Sequence, residues 1–117
     1  MNDIQERGIA AARAYLDRIG QQVLPQGEPL PAGIDILSID GDILVGTLSS
    51  VRSGALSDDL PTRDTLNGAL VALEDLRVSS HPERSGVRVD VIAIRVLAED
   101  RALLRHHRGE RSSPEAL

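Results

Sequence analysis

The sequence predicts a single α/β domain in which two helices flank a mixed β-sheet, and three stretches carry that prediction. Asp40-Gly41, set between two aliphatic runs, is a strong short hairpin signal, because a two-residue turn needs backbone that glycine adopts freely. Apolar residues recur at helical spacing twice, once in residues 4–19 and again in residues 66–76. Residues 87–97, VRVDVIAIRVL, form the β-branched run of a strand buried on both faces.

Each element follows in order. Ile4, Ala11, Tyr15, Leu16 and Ile19 define an amphipathic opening helix, and Gly20 stands where it stops. Residues 21–24 make a short strand, and PQGEPLPAG is a Pro/Gly-rich connection into the hairpin. If Asp40-Gly41 is a plain type I′ loop, residue 39 pairs with 42, 37 with 44, 35 with 46 and 33 with 48. Residues 33, 35, 46, 48 and 50 then share one face. Residues 53–61 form a loop rich in small and acidic residues, in which Asp58-Asp59 favours solubility. Thr62 caps a second helix striped by Leu66, Leu70, Leu73 and Leu76. Residues 79–86 are polar and contain Pro82, and the buried strand follows. The last segment, AEDRALLRHHRGE, has helical propensity, yet it also fits a turn at 99–101 followed by a strand over 102–108. The domain spans residues 1–110, and residues 111–117, RSSPEAL, read as a disordered tail.

Composition bounds the chemistry. A chain of 117 residues, 41% apolar, supports one core. It has no Phe, no Trp and one Tyr, which nearly excludes base stacking on aromatic platforms. The absence of cysteine excludes disulfides and thiolate metal sites. The N-terminus carries charges throughout and has no signal-peptide run, and no stretch reaches the length of a membrane span, so the expectation is a soluble cytoplasmic protein without membrane contact. Net charge is −5, but its distribution is uneven: residues 1–83 hold six Arg against 13 acids, whereas residues 84–111 hold seven Arg against four acids, with His106 and His107 added. All 13 cationic side chains are Arg, which keeps bidentate phosphate contacts available and removes lysine-dependent chemistry.

The order helix, strand, hairpin, helix, strand, strand is that of the restriction-endonuclease-like core, and particular residues add a closer likeness. Gly8-Ile9-Ala10-Ala11-Ala12-Arg13-Ala14-Tyr15-Leu16, Ala32-Gly33-Ile34-Asp35-Ile36-Leu37, Thr47-Leu48-Ser49-Ser50, Leu60-Pro61-Thr62-Arg63, Arg88-Val89-Asp90-Val91-Ile92 and His106-His107-Arg108-Gly109 together resemble the YraN family. Members of that family are generally described as predicted endonucleases. The final motif is the reason to expect a strand rather than a helix at the end of the chain. The resemblance implies a metal site of several acids and a lysine, and this sequence departs from it. The family's helix acid falls on Ile9, the acid before the hairpin aspartate on Gly33, the next strand's acid on Leu48 and the lysine on Ser50. Only Asp35 keeps its carboxylate.

The positions Asp35, Gly33, Leu48 and Ser50 therefore read as vestigial, with no catalytic residue and no metal site. Asp35 is most simply a strand residue bonded to a neighbour, since one carboxylate and waters hold Mg²⁺ weakly. Asp40-Gly41-Asp42 reads as a turn. His106 and His107, adjacent on a strand, point to opposite sides, so one packs and one is exposed. Arg101, Arg105, Arg108 and Arg111 are either a solvated surface or a weak, non-specific nucleic-acid contact. The expected function is a catalytically inactive nuclease-like domain that acts as a binding or interaction module, its partner being nucleic acid, a protein or a second copy. The alternatives are an endonuclease whose metal site is rebuilt from Asp35 with Asp90 or Glu28, and a structural self-association domain.

Overall fold

A computed structural model describes residues 3–25, 30, 33–52, 61–98 and 101–109. The expected tail at 111–117, most of the loop at 53–61, Glu28 and Arg111 lie outside the described residues. The fold is α/β, a five-stranded mixed sheet with one helix on each face, as the sequence predicts.

Helix α1 (Asp3–Arg18) leads to β1 (Gln22–Val23), β2 (Ile36–Asp40) and β3 (Ile43–Arg52), then α2 (Arg63–Ser80), β4 (Gly86–Ala98) and β5 (Arg101–His107). The strands lie in the order β1-β2-β3-β4-β5. Only β3 and β4 are parallel, because α2 carries the chain back across the sheet between them. The Thr62 hydroxyl accepts from the Thr65 N–H at 3.2 Å, which is the expected cap. The C-terminal segment is a strand, so the pairing offered by β4 outweighs its helical propensity.

Alternation along the strands assigns the faces. Ile36, Ile92, Ile94 and Val96 pack with Ala12 and Leu16 beneath α1. Ile39, Leu44, Leu48, Val87 and Val89 pack with Ala69 and Leu73 beneath α2. With a helix on either side, β4 is buried almost throughout. Two charged residues interrupt its α1 side, Arg88 and Asp90.

The hairpin corrects the expected register. Asp40 pairs with Ile43, Ile39 with Leu44 and Leu37 with Gly46, so the loop is Gly41-Asp42 rather than Asp40-Gly41. Gly41 has φ +62°, and no described non-glycine residue has a positive φ, which is the requirement of a type II′ loop and not of type I′. Two interactions select this register. It sets Ile39 opposite Leu44 in the core instead of opposite the exposed Asp42, and it leaves Asp40 in the strand, where its carboxylate accepts from Arg88 Nη1 at 2.9 Å.

Candidate functional site

The strand before the hairpin starts irregularly. Ile36 is the partner of Thr47, yet the Asp35 N–H also donates to the Thr47 carbonyl at 2.8 Å, so two residues share one partner in the manner of a β-bulge. The extra residue reverses the facing. Ile34, not Asp35, enters the α2 core, where it crowds Gly46: a Cβ on that glycine would lie 2.8 Å from Ile34 Cδ1 and 3.2 Å from Leu73 Cδ2. Asp35 turns instead to Ser49, accepting from its N–H at 2.8 Å and its hydroxyl at 2.7 Å.

This overturns the expectation that residues 33, 35, 46, 48 and 50 line one face. Leu48 is 6% exposed within the α2 core. Ser50, two residues on, shares that side of β3 and is half-buried. Ile9 packs on the opposite side of the sheet, against the α1 core. Gly33 is exposed, with φ +75°. The positions that the resemblance assigns to a metal centre are thus divided between the two faces, and their one carboxylate is held by a serine. They do not fit a divalent cation, which needs converging oxygen ligands. Among the described residues there is no cluster of three or more acidic or histidine groups able to hold a metal ion.

Asp90 does not pair with Asp35 to rebuild a site. It lies on β4 with β3 between it and β2, fully buried, and its oxygens are spoken for. Arg88 donates to it through Nε at 2.8 Å and Nη2 at 3.1 Å, Gly109 N–H donates at 2.9 Å, and His106 Nε2 donates at 2.8 Å. Burial alone would push the Asp90 pKa up. The hydrogen bonds from His106, Arg88 and Gly109 and the charge of Arg88 outweigh it, so the carboxyl sits below its ordinary range. Burial likewise works against the Arg88 charge, but the hydrogen bonds to Asp90 and Asp40 prevail and raise its pKa.

His106 continues the network to the first helix. With Nε2–H on Asp90, Nδ1 faces the Tyr15 hydroxyl at 3.0 Å, and the two rings meet edge to face at 88°. His107 points the other way and is half-buried rather than exposed. The chain Tyr15, His106, Asp90, Arg88, Asp40 joins α1, β5, β4 and β2. The sequence signal for it is the Arg-x-Asp spacing inside a β-branched run, which places two opposite charges on one strand face. The arrangement is a clamp between elements, tying the first helix and the last strand to the middle of the sheet.

The C-terminal arginines separate. Arg101 and Arg105 are exposed on the side of β5 opposite Leu104 and His106, whereas Arg108 lies just beyond the strand. Arg101 and Arg105 thus share the α2 side of the sheet with two arginines outside the predicted cluster, Arg52 on β3 and Arg95 on β4. Arg52 carries no charge-cluster signal in the sequence, because it belongs to the acidic part of the chain. No helix among the described residues is long and apolar enough to cross a membrane. No protein-family model matches the chain, and no curated protein matches it significantly.

Proposed function

We propose that the chain is a catalytically inactive, nuclease-like domain of the cytoplasm that acts as a binding module and contacts nucleic acid weakly through arginine–phosphate pairs. The observation that supports this reading most is Leu48. The position at which the resemblance expects a metal-binding acid is an aliphatic side chain inside the α2 core, and Asp35 is committed to Ser49. Without a bound cation there is neither an activated water nor a counter-charge for the leaving oxygen, a loss of several kcal/mol of transition-state stabilisation at about tenfold in rate per ~1.4 kcal/mol. The test is incubation with linear, branched and single-stranded DNA in Mg²⁺ or Mn²⁺, alongside a calorimetric titration of each metal. The expected results are no products and no saturable metal binding. Products that vanish in Asp35→Ala would overturn the reading.

Self-association is a second reading, favoured by Leu97 and Leu103, which stand 46% and 47% exposed in the β4–β5 hairpin. Sedimentation of the whole chain distinguishes it, since a dimer that Leu103→Ser dissolves requires an apolar contact there.

A further inference from the structure

Arg52 and Arg95 are direct partners in the parallel β3–β4 pairing, on strands about 4.8 Å apart. Both lie on the α2 side, since Val51, Ile94 and Val96, their sequence neighbours, pack on the α1 side. Helix α2 packs over Val87 and Val89, lower on the same face, and Arg52 is exposed. Ser50 and Arg105 flank the pair, each in register with Ala93, two residues before Arg95.

Three features make this pairing unusual. Like charges directly opposite each other repel, so the sheet gains nothing from the pair by itself. No acidic residue stands on this side of β3, β4 or β5, and among the described residues neither Arg52 nor Arg95 makes an ion pair. Arg95 Nε is closed off without a hydrogen-bond acceptor, and the terminal nitrogens of the same guanidinium, which are not closed off, have no acceptor among the described residues either.

We infer that Arg52 and Arg95 form a phosphate-binding site on the open face of the β3–β4 pair, with Ser50 and Arg105 at its margin. A phosphate group supplies what the pair lacks: negative charge between two guanidiniums and oxygens for their terminal nitrogens. Its several oxygens can engage two guanidinium forks at once, whereas one fork already satisfies both oxygens of a carboxylate. The phosphate comes either from a small phosphorylated ligand or from the phosphodiester backbone of a nucleic acid. The site stands on the arginine pairing and does not depend on the proposed function.

The experiment follows the Arg Nε–H resonances of the whole chain by ¹H–¹⁵N correlation during titration with inorganic phosphate, chloride being withdrawn to hold ionic strength constant. The expected result is a saturable shift of Arg95 Nε–H. Arg52→Gln, at an exposed position, weakens the apparent affinity at least tenfold, and Arg18→Gln leaves it unchanged. Arg95→Met should abolish saturable binding in a thermal-shift titration with phosphate. A shift that never saturates, or equal affinity in Arg52→Gln, overturns the site, and an equal saturable response to acetate overturns its assignment to phosphate. A short DNA duplex that displaces phosphate from Arg95 supports the site and assigns its ligand to a phosphodiester backbone. A duplex that leaves phosphate in place supports it as the site of a small phosphorylated ligand.

Discussion

His106 and Asp90 meet at 2.8 Å across the β4–β5 pairing, and Asp90 is fully buried where they meet. The contact holds the last strand to the rest of the sheet with a charged group, in a fold whose two packed clusters are aliphatic. Removing one partner of a buried pair leaves the other uncompensated, so Asp90→Ala should destabilise the domain by about 3–5 kcal/mol. Arg88, whose side chain is 10% exposed, would keep only Asp40 as its ion partner. Tyr15→Phe removes a single hydrogen bond from the far end of the network and should cost about 1 kcal/mol. Urea unfolding of both variants measures the difference, and a ranking in the opposite order would contradict the clamp.

The same carboxylate sets a pH dependence. The folded-state pKa of Asp90 is depressed below its unfolded value of about 3.9, so the folded protein binds fewer protons near that pH. Its contribution is complete above pH ~4 and is lost as pH falls from there through the folded-state value. Wild-type stability should decline over this acid window. Asp90→Asn should begin lower and fall less steeply, and parallel curves for the two proteins would assign the acid lability to other groups.

The architecture was legible because its signals are local or periodic: the stripe of α2, the Thr62 cap and the β-branched run of β4 each specify an element within a few residues. What was not legible depended on contacts distant in sequence. Asp40-Gly41 favours a type I′ loop when read alone, but Arg88, 48 residues away, holds Asp40 in the strand. The bulge at Asp35 is visible only once Ile34 is seen filling the space that Gly46 leaves. Arg52 and Arg95 lie far apart in the sequence and become neighbours only through the crossover that makes β3 and β4 parallel.

Restoring the acid that the resemblance expects at position 48 should therefore fail. Leu48→Glu buries an unpaired charge among Ile34, Ala69, Leu73 and Val89, at a cost of several kcal/mol. The variant should be insoluble or unfolded, while Leu48→Ala loses about 2–5 kcal/mol through the cavity it leaves. Ser50→Lys, at a half-buried position, should change stability far less. Circular dichroism during thermal unfolding reads all three, and a well-folded Leu48→Glu protein would mean that this position opens to solvent.

Asp35 should behave as a structural acceptor. Asp35→Ala leaves the Ser49 N–H and hydroxyl without their partner, for an expected loss of about 1–3 kcal/mol. Millimolar Mg²⁺ should leave the melting temperature of the wild type unchanged, since a ligand bound only to the folded state would raise it. An Mg²⁺-dependent rise that disappears in Asp35→Ala would make the residue a metal ligand.

Nucleic-acid contact should follow the geometry of β5 rather than the arginine count. Arg101 and Arg105 share an exposed strand face with Arg95 and Arg52, whereas Arg108 stands past the strand end. Arginine contacts to phosphates release counterions and read no bases, so binding should be weak, indifferent to sequence and steeply salt-dependent. Each lost phosphate contact lowers the log–log salt slope by about 0.9 on duplex DNA, so Arg101→Ala with Arg105→Ala should lower it by about 2. Arg108→Ala should change it less than either single substitution on the face. Fluorescence anisotropy over a salt series measures these slopes. If wild-type anisotropy stays flat at ~50 mM salt, where phosphate contacts are strong, the arginine face does not hold nucleic acid. The exposed Leu97 and Leu103 then make self-association the better account of the same surface.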